Sequence, residues 1–324
     1  MKTSNVKISY LILATALLLP GIFSSCSKKH SSGPSGPPPP SNPGGYDSSN
    51  QIQSGSLVSF WTFNGNLTDS KGGLTGTNNG ITFTTGMLSG TQAFQGSSNS
   101  YYTVSSPGAA LPALKSFTVS VWINSPQIAK GGSEEAFFQI VDSTQWQSNL
   151  HLGIIPSTSS DTLTLGLKMQ NWPGDTAISY QTYYLNAYLD TAVSKWTNVT
   201  VTYDGATSIV NVYENGVVIP VNGPYTTYPG FTGLELFMSD PQSPAGQPNA
   251  NPAGAKPWGN LTFKYATGLV FGAWSVNTNP PLSDNGSETW AGNYLGAMER
   301  LRVYNTALNS SDVKSLYLLE QQGF

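Results

Sequence analysis

Val199-Thr200-Val201-Thr202-Tyr203-Asp204-Gly205 is followed closely by Ile209-Val210-Asn211-Val212-Tyr213-Glu214-Asn215-Gly216-Val217-Val218-Ile219. Apolar and polar residues alternate, which is the pattern of a strand with one buried face. Asp-Gly and Asn-Gly supply the positive φ angles that tight hairpin turns require. Three strands joined by two short turns therefore form an antiparallel meander. The same alternation recurs at Phe117, Val119, Val121 and Ile123, and again at Leu163, Leu165, Leu167 and Met169. Helical spacing emerges only near the end, where Ser310 or Ser311 is placed to cap a short turn through Val313, Leu316 and Tyr317. Many short strands without βαβ alternation predict an all-β, two-sheet antiparallel sandwich with one short C-terminal helix.

Composition agrees. The chain has 324 residues, of which only 10% are charged, with 34 Gly, 22 Pro and eight Trp. An average soluble protein is roughly 25% charged, so this surface is built from hydroxyls and amides. A formal charge of −3 is too acidic for gripping a phosphate backbone, and nucleic acid is not an expected partner. The single cysteine, Cys26, excludes an intramolecular disulfide and a thiolate metal cluster.

Further segments resemble a known family. Leu57-Val58-Ser59-Phe60-Trp61-Thr62-Phe63-Asn64-Gly65-Asn66 with Asp69-Ser70 looks like the opening strand and loop of LamG-like jelly rolls in the concanavalin A-like lectin/glucanase superfamily. Ala93-Phe94-Gln95-Gly96, Tyr102-Thr103-Val104 and Ser116–Ile123 resemble that family's next strands, and Trp196–Gly216 its paired central strands. Leu295–Leu308 resembles its closing strand and following helical turn. The matches occur in order over roughly residues 55–320. Two extensions depart from the family, between Gly223 and Phe263 and over Asn277–Asn293. Loops of this length in a compact domain tend to be functional.

The N-terminus reads as an export signal. Lys2 and Lys7 precede the apolar run Ile8–Leu19, and Phe23-Ser24-Ser25-Cys26 resembles the lipobox of bacterial lipoproteins. That resemblance implies a signal peptide over residues 1–25 and lipidation of Cys26, in a Bacteroidota-type lipoprotein. The membrane is then reached through the N-terminal lipid only. The implied location is the outer membrane, on its periplasmic or extracellular face. Residues 26–54, rich in Pro, Gly and Ser, lack apolar periodicity and read as a tether. The jelly-roll domain is expected over 55–324.

Catalytic motifs are not evident. Glucanases on this fold place paired carboxylates on one strand, whereas Glu134-Glu135 are adjacent and would point to opposite faces. Lyases on jelly rolls need a Tyr/His/Arg/Gln constellation. The two histidines are His30, in the tether, and His151, in the alternating run Leu150-His151-Leu152. A lone His in such a run reads as an ordinary surface or core residue. Arg300 and Arg302 are the only arginines. The resemblance also implies a structural calcium ion between the first loop and last strand, at Asp69 and Glu299. The competing reading is an Asx turn at Asp69 and an arginine partner for Glu299.

Sugars stack their C–H faces on aromatic rings and bond their hydroxyls to amides and carboxylates. Trp61, Trp122 and Trp196 lie in regular strands and read as structural. Trp146, Trp172, Trp258 and Trp290 lie among Asn, Gly, Pro and Gln, and Tyr184 belongs to a tyrosine cluster. These five are the expected carbohydrate-binding residues. The predicted function is non-catalytic capture of an extracellular glycan or polysaccharide at the cell envelope. Two alternatives stay open: a protein-binding adhesion module with a cell-envelope partner, and an enzyme drawing carboxylates from Asp240, Asp284 and Glu288.

Overall fold

In the computed structural model, the described residues are 42–173, 181–223, 230–238, 256–284 and 286–324. They build two large sheets, face to face. The first runs in the order Val217–Ile219, Ile209–Glu214, Thr197–Asp204, Phe117–Asn124, Ala297–Tyr304, Gln92–Gln95, Thr82–Thr85. Leu57–Trp61 also pairs with Ala297–Tyr304, and Leu234–Glu235 with Ile209–Glu214. The second runs Gln181–Leu189, Leu163–Asn171, Gln145–Ile155, Glu134–Asp142, Ala266–Phe271, Tyr101–Val104, Thr77–Asn79. All of these pairs are antiparallel; Ala291–Asn293 adds one parallel pairing against Glu134–Asp142.

The predicted meander is present. Asn215 and Gly216 have φ of 50° and 72°, the paired positive values of a tight hairpin. Each alternating set sends its apolar members into the space between the sheets. Val119, Val121, Val199 and Val201 meet Leu150, Leu152, Leu165, Leu167 and Leu185 there, all buried.

The C-terminal helix, Ser310–Gln322, is longer than the sequence suggests. Its cap is Asn309 rather than a serine: the Asn309 side chain accepts from the Asp312 N–H at 2.9 Å. Val313, Leu316 and Leu319 pack with Tyr213, Tyr304 and Ile52 against the outside of the first sheet. Residues 42–54, expected to belong to the tether, also lie on this surface. Pro43–Gly45 and Ser49–Gln51 form short 3₁₀ turns, and Ile52 is fully buried. Among the described residues no helix is long and apolar enough to cross a membrane.

Candidate functional site

The outer face of the second sheet is polar by construction. With Leu150, Leu152 and Leu167 pointing inward, their neighbours Asn149, His151 and Lys168 must point out. Yet Gln139, His151 and Gln170 are fully buried. The chain after Phe271 folds back over them and lays Trp274, itself 0% exposed, on top. The Trp274 and His151 rings stack at 4.0 Å, and the Trp274 Nε1–H donates to the Glu134 carbonyl at 2.8 Å.

One backbone group sets the protonation beneath this cover. The Ser275 N–H donates to Gln139 Oε1 at 2.6 Å, which turns the Gln139 amide nitrogen toward His151. That nitrogen lies 3.0 Å from His151 Nδ1 and, being a donor, makes Nδ1 the acceptor. The imidazole proton therefore sits on Nε2 and is donated to Glu134 Oε1 at 2.9 Å. Lys168 pairs with the same Glu134 oxygen and stands 4.7 Å from the Trp274 ring centre. Burial, reinforced by the Lys168 charge, lowers the His151 pKa to about 4, so the ring is neutral at pH 7. Burial alone would raise Glu134, but the hydrogen bonds and charges of His151 and Lys168 outweigh it and bring the pKa to about 2.

Two opposed glycines make the room. Gly153 and Gly166 are cross-strand partners. A Cβ on Gly153 would come within 2.7 Å of His151 Nε2, and one on Gly166 within 2.8 Å of Glu134 Oε1. Glu135 points the other way, as adjacent residues on a strand must. Its carboxylate accepts from the Leu295 N–H at 2.9 Å, and burial raises its pKa to about 7.

Aromatic rings surround this polar floor. Trp290 stands edge-on to Trp146 and to Trp274, with ring centres at 4.9 Å in both cases. Trp146 lies 6.2 Å from Tyr184, whose hydroxyl accepts from Gln147 Nε2 at 3.0 Å. Trp290 is 39% exposed and presents the open edge of the cluster. Trp146, Trp290 and Tyr184 are thus brought together. Trp274 joins them although nothing in its sequence surroundings singled it out.

Trp172 lies apart. Its Nε1–H donates to Asp142 Oδ2 at 3.0 Å, and its ring meets Tyr265 edge-on at 5.1 Å. Trp258 corrects the expectation of an exposed ring. It is 2% exposed, wedged edge-on against Tyr183 and Tyr203, and donates to Gln181 Oε1 at 2.9 Å. Its Pro- and Gly-rich neighbours form a loop that turns inward and plugs the core.

Each expected calcium ligand has one oxygen held by backbone N–H donors. Asp69 Oδ1 accepts from the N–H groups of Phe60, Lys71 and Gly72 at 2.8–2.9 Å, which is the Asx-turn arrangement. Glu299 Oε2 accepts from the Met87 N–H at 3.2 Å, and its Oε1 is 3.9 Å from Arg300 Nε. Burial raises the Glu299 pKa. Calcium needs an oxygen-rich shell, and the bonded oxygens, Asp69 Oδ1 and Glu299 Oε2, face N–H groups instead. Each carboxylate keeps one oxygen, Asp69 Oδ2 and Glu299 Oε1, buried without a hydrogen-bond partner. Among the described residues no three His, Cys, Asp or Glu side chains are grouped to hold a metal. Cys26 and Asp240 lie outside the described residues.

Several solved structures are similar to this chain. The binding domain of botulinum neurotoxin DC in complex with SialylT superposes with a TM-score of 0.47 at 14% identity, covering 81% of this chain and 51% of that one. The same toxin's domain in complex with rat synaptotagmin II gives 0.46 at 14%, with 81% and 51% covered. This chain thus spans about half the length of those toxin domains. Domain 4 of AbnA, an extracellular GH43 arabinanase of Geobacillus stearothermophilus, in complex with arabinotriose, gives 0.45 at 17%, covering 81% and 98%. No curated protein matches the chain. Residues 94–246 match the family model Laminin_G_3, described as the concanavalin A-like lectin/glucanases superfamily.

Proposed function

We propose that this chain is a non-catalytic carbohydrate-binding protein that captures extracellular glycan at the cell envelope, held there by lipid on Cys26. One observation carries the binding reading. Trp290 is exposed beside Trp146, next to Tyr184 and its hydrogen bond with Gln147. An apolar edge next to oriented hydrogen-bonding groups suits a sugar, which offers a C–H face and hydroxyls together.

The same geometry argues against catalysis at this face. His151 is completely covered by Trp274, and its Nδ1 and Nε2 are both engaged. Glu134, with its low pKa, is held as a carboxylate by His151 and Lys168. Neither group is free to exchange a proton with a substrate.

The test is a glycan array probed with the full chain, with and without EDTA. Binding to a defined glycan is expected, weakened at least about tenfold by Trp290→Ala and insensitive to EDTA. Failure of folded protein to bind any glycan would overturn the reading in favour of a protein-binding module.

A further inference from the structure

A cavity lies on the outer face of the other sheet. We propose that it binds one uncharged sugar or polyol unit, making the chain a two-site glycan binder.

A break in strand register builds this site. Glu299 pairs with Trp122 and Arg302 with Ser120, so three steps on the last strand oppose two on its partner. The bulge is centred on Arg300, whose φ is +53°. In a regular strand, residues three apart point to opposite faces. The extra residue puts Glu299 and Arg302 next to each other on the outer face. Both line a cavity of about 250 Å³, together with Arg300 and the polar residues Ser49, Asn50, Thr62, Asn64, Thr91 and Gln92.

Each of the two residues carries a buried atom with no partner. Glu299 and Arg302 are both 1% exposed. Glu299 Oε2 and Arg302 Nε and Nη2 are bonded within the protein, but Glu299 Oε1 and Arg302 Nη1 are not. Leaving such atoms unpaired is costly, more so for charged groups, so a partner for them is favoured. The 3.9 Å from Glu299 Oε1 to Arg300 Nε is too long for a direct hydrogen bond and suits a bridging group.

The chemistry of the partner follows from these atoms. The cavity offers an orphan acceptor and an orphan donor, and a hydroxyl both donates and accepts. Neighbouring hydroxyls satisfy both atoms. An anion would meet the Glu299 carboxylate, and a cation would meet Arg300 and Arg302. Phe60 and Phe324 add apolar wall for a C–H face. The volume falls below the roughly 300 Å³ at which sites for drug-sized ligands begin, which restricts the occupant to a single small unit.

Saturation-transfer NMR on the full chain, with glucose, galactose, mannose and glycerol as probes, tests the proposal. Signal is expected for at least one probe, with millimolar-range affinity of about 4 kcal/mol. Gln92→Trp, which fills the cavity from an exposed position, should abolish it. Glu299→Gln should weaken it by about threefold or more. Trp290→Ala should leave it unchanged, which separates this site from the tryptophan cluster. No signal from folded protein, signal unaffected by Gln92→Trp, or preferential displacement by acetate would each overturn the proposal.

Discussion

The outer faces of the two sheets solve the same problem differently. Each buries a carboxylate between a cation and an aromatic residue. On the first sheet, Glu320 accepts from Arg302 Nε at 2.7 Å and from Trp122 Nε1 at 2.8 Å, and the Arg302 guanidinium lies 3.7 Å from the Phe60 ring centre. Glu320 and Arg302 are at most 1% exposed. On the second sheet, Glu134 takes Lys168 and His151 beneath Trp274, and its side chain remains 16% exposed. A helix packs over the Glu320–Arg302 pair on the first face; a loop bearing tryptophans covers the second and leaves one ring open. Burying charge is costly, and a sealed pair is best suited to fixing where one element docks. The half-open pair holds a surface in place without closing it.

That contrast can be broken by experiment, beginning with the largest expected effect. Glu320→Ala strands the buried Arg302 and should cost about 3–5 kcal/mol in urea unfolding. A cost under about 1 kcal/mol would show that the helix is not held by this pair. The second face should answer to acid. The His151 pKa is lowered to about 4 from 6.5, so the unfolded chain binds more protons between those values. Stability contributed by the neutral ring is complete above about pH 6.5 and should fall by up to about 3 kcal/mol as pH drops to 4. Glu134, lowered to about 2, adds a further loss below about pH 4.5. His151→Gln should flatten the upper part of this profile; an unchanged slope would remove His151 as its source.

The smallest effect sharpens the comparison within one strand. Glu135 is raised to about 7 by burial, so the folded state holds the proton more tightly than the unfolded chain between about pH 4.5 and 7. Its ionisation therefore lowers stability as pH rises through that window. Glu135→Gln keeps an acceptor for the Leu295 N–H and removes the charge, and should raise the melting temperature at pH 8 by an amount equivalent to about 1–2 kcal/mol. Destabilisation would show that the carboxylate is needed as such.

Legibility in the sequence follows contact distance. Strand faces and the Asn215-Gly216 turn depend on neighbours, and periodicity exposes them. The opposite orientations of Glu134 and Glu135 follow from the same rule. Trp274 could not be found this way, because its role rests on His151 and Glu134, more than a hundred residues earlier. Trp258 misled because a Pro-Gly-Asn setting marks a loop without saying which way the loop turns. The folded stretch around Ile52 has no periodicity of its own. It takes its order from Arg302 and Asp312, far along the chain. The glycine pair 153 and 166 was the available clue to the polar floor, and only the strand register makes them partners.

The way residues 46–53 are fastened also has a mechanical meaning. Tyr46 and Gln53 bond to Asp312, Ser49 and Asn50 to Arg302, and the Ser49 N–H to the Phe324 carbonyl. Tension applied to the chain ahead of residue 42 would reach the C-terminal helix before it reached the first strand. The load would be divided among several short bonds and kept away from the sheet that carries the tryptophans. Pulled from that end, the chain would give first at this clasp, releasing slack while the sandwich stayed intact.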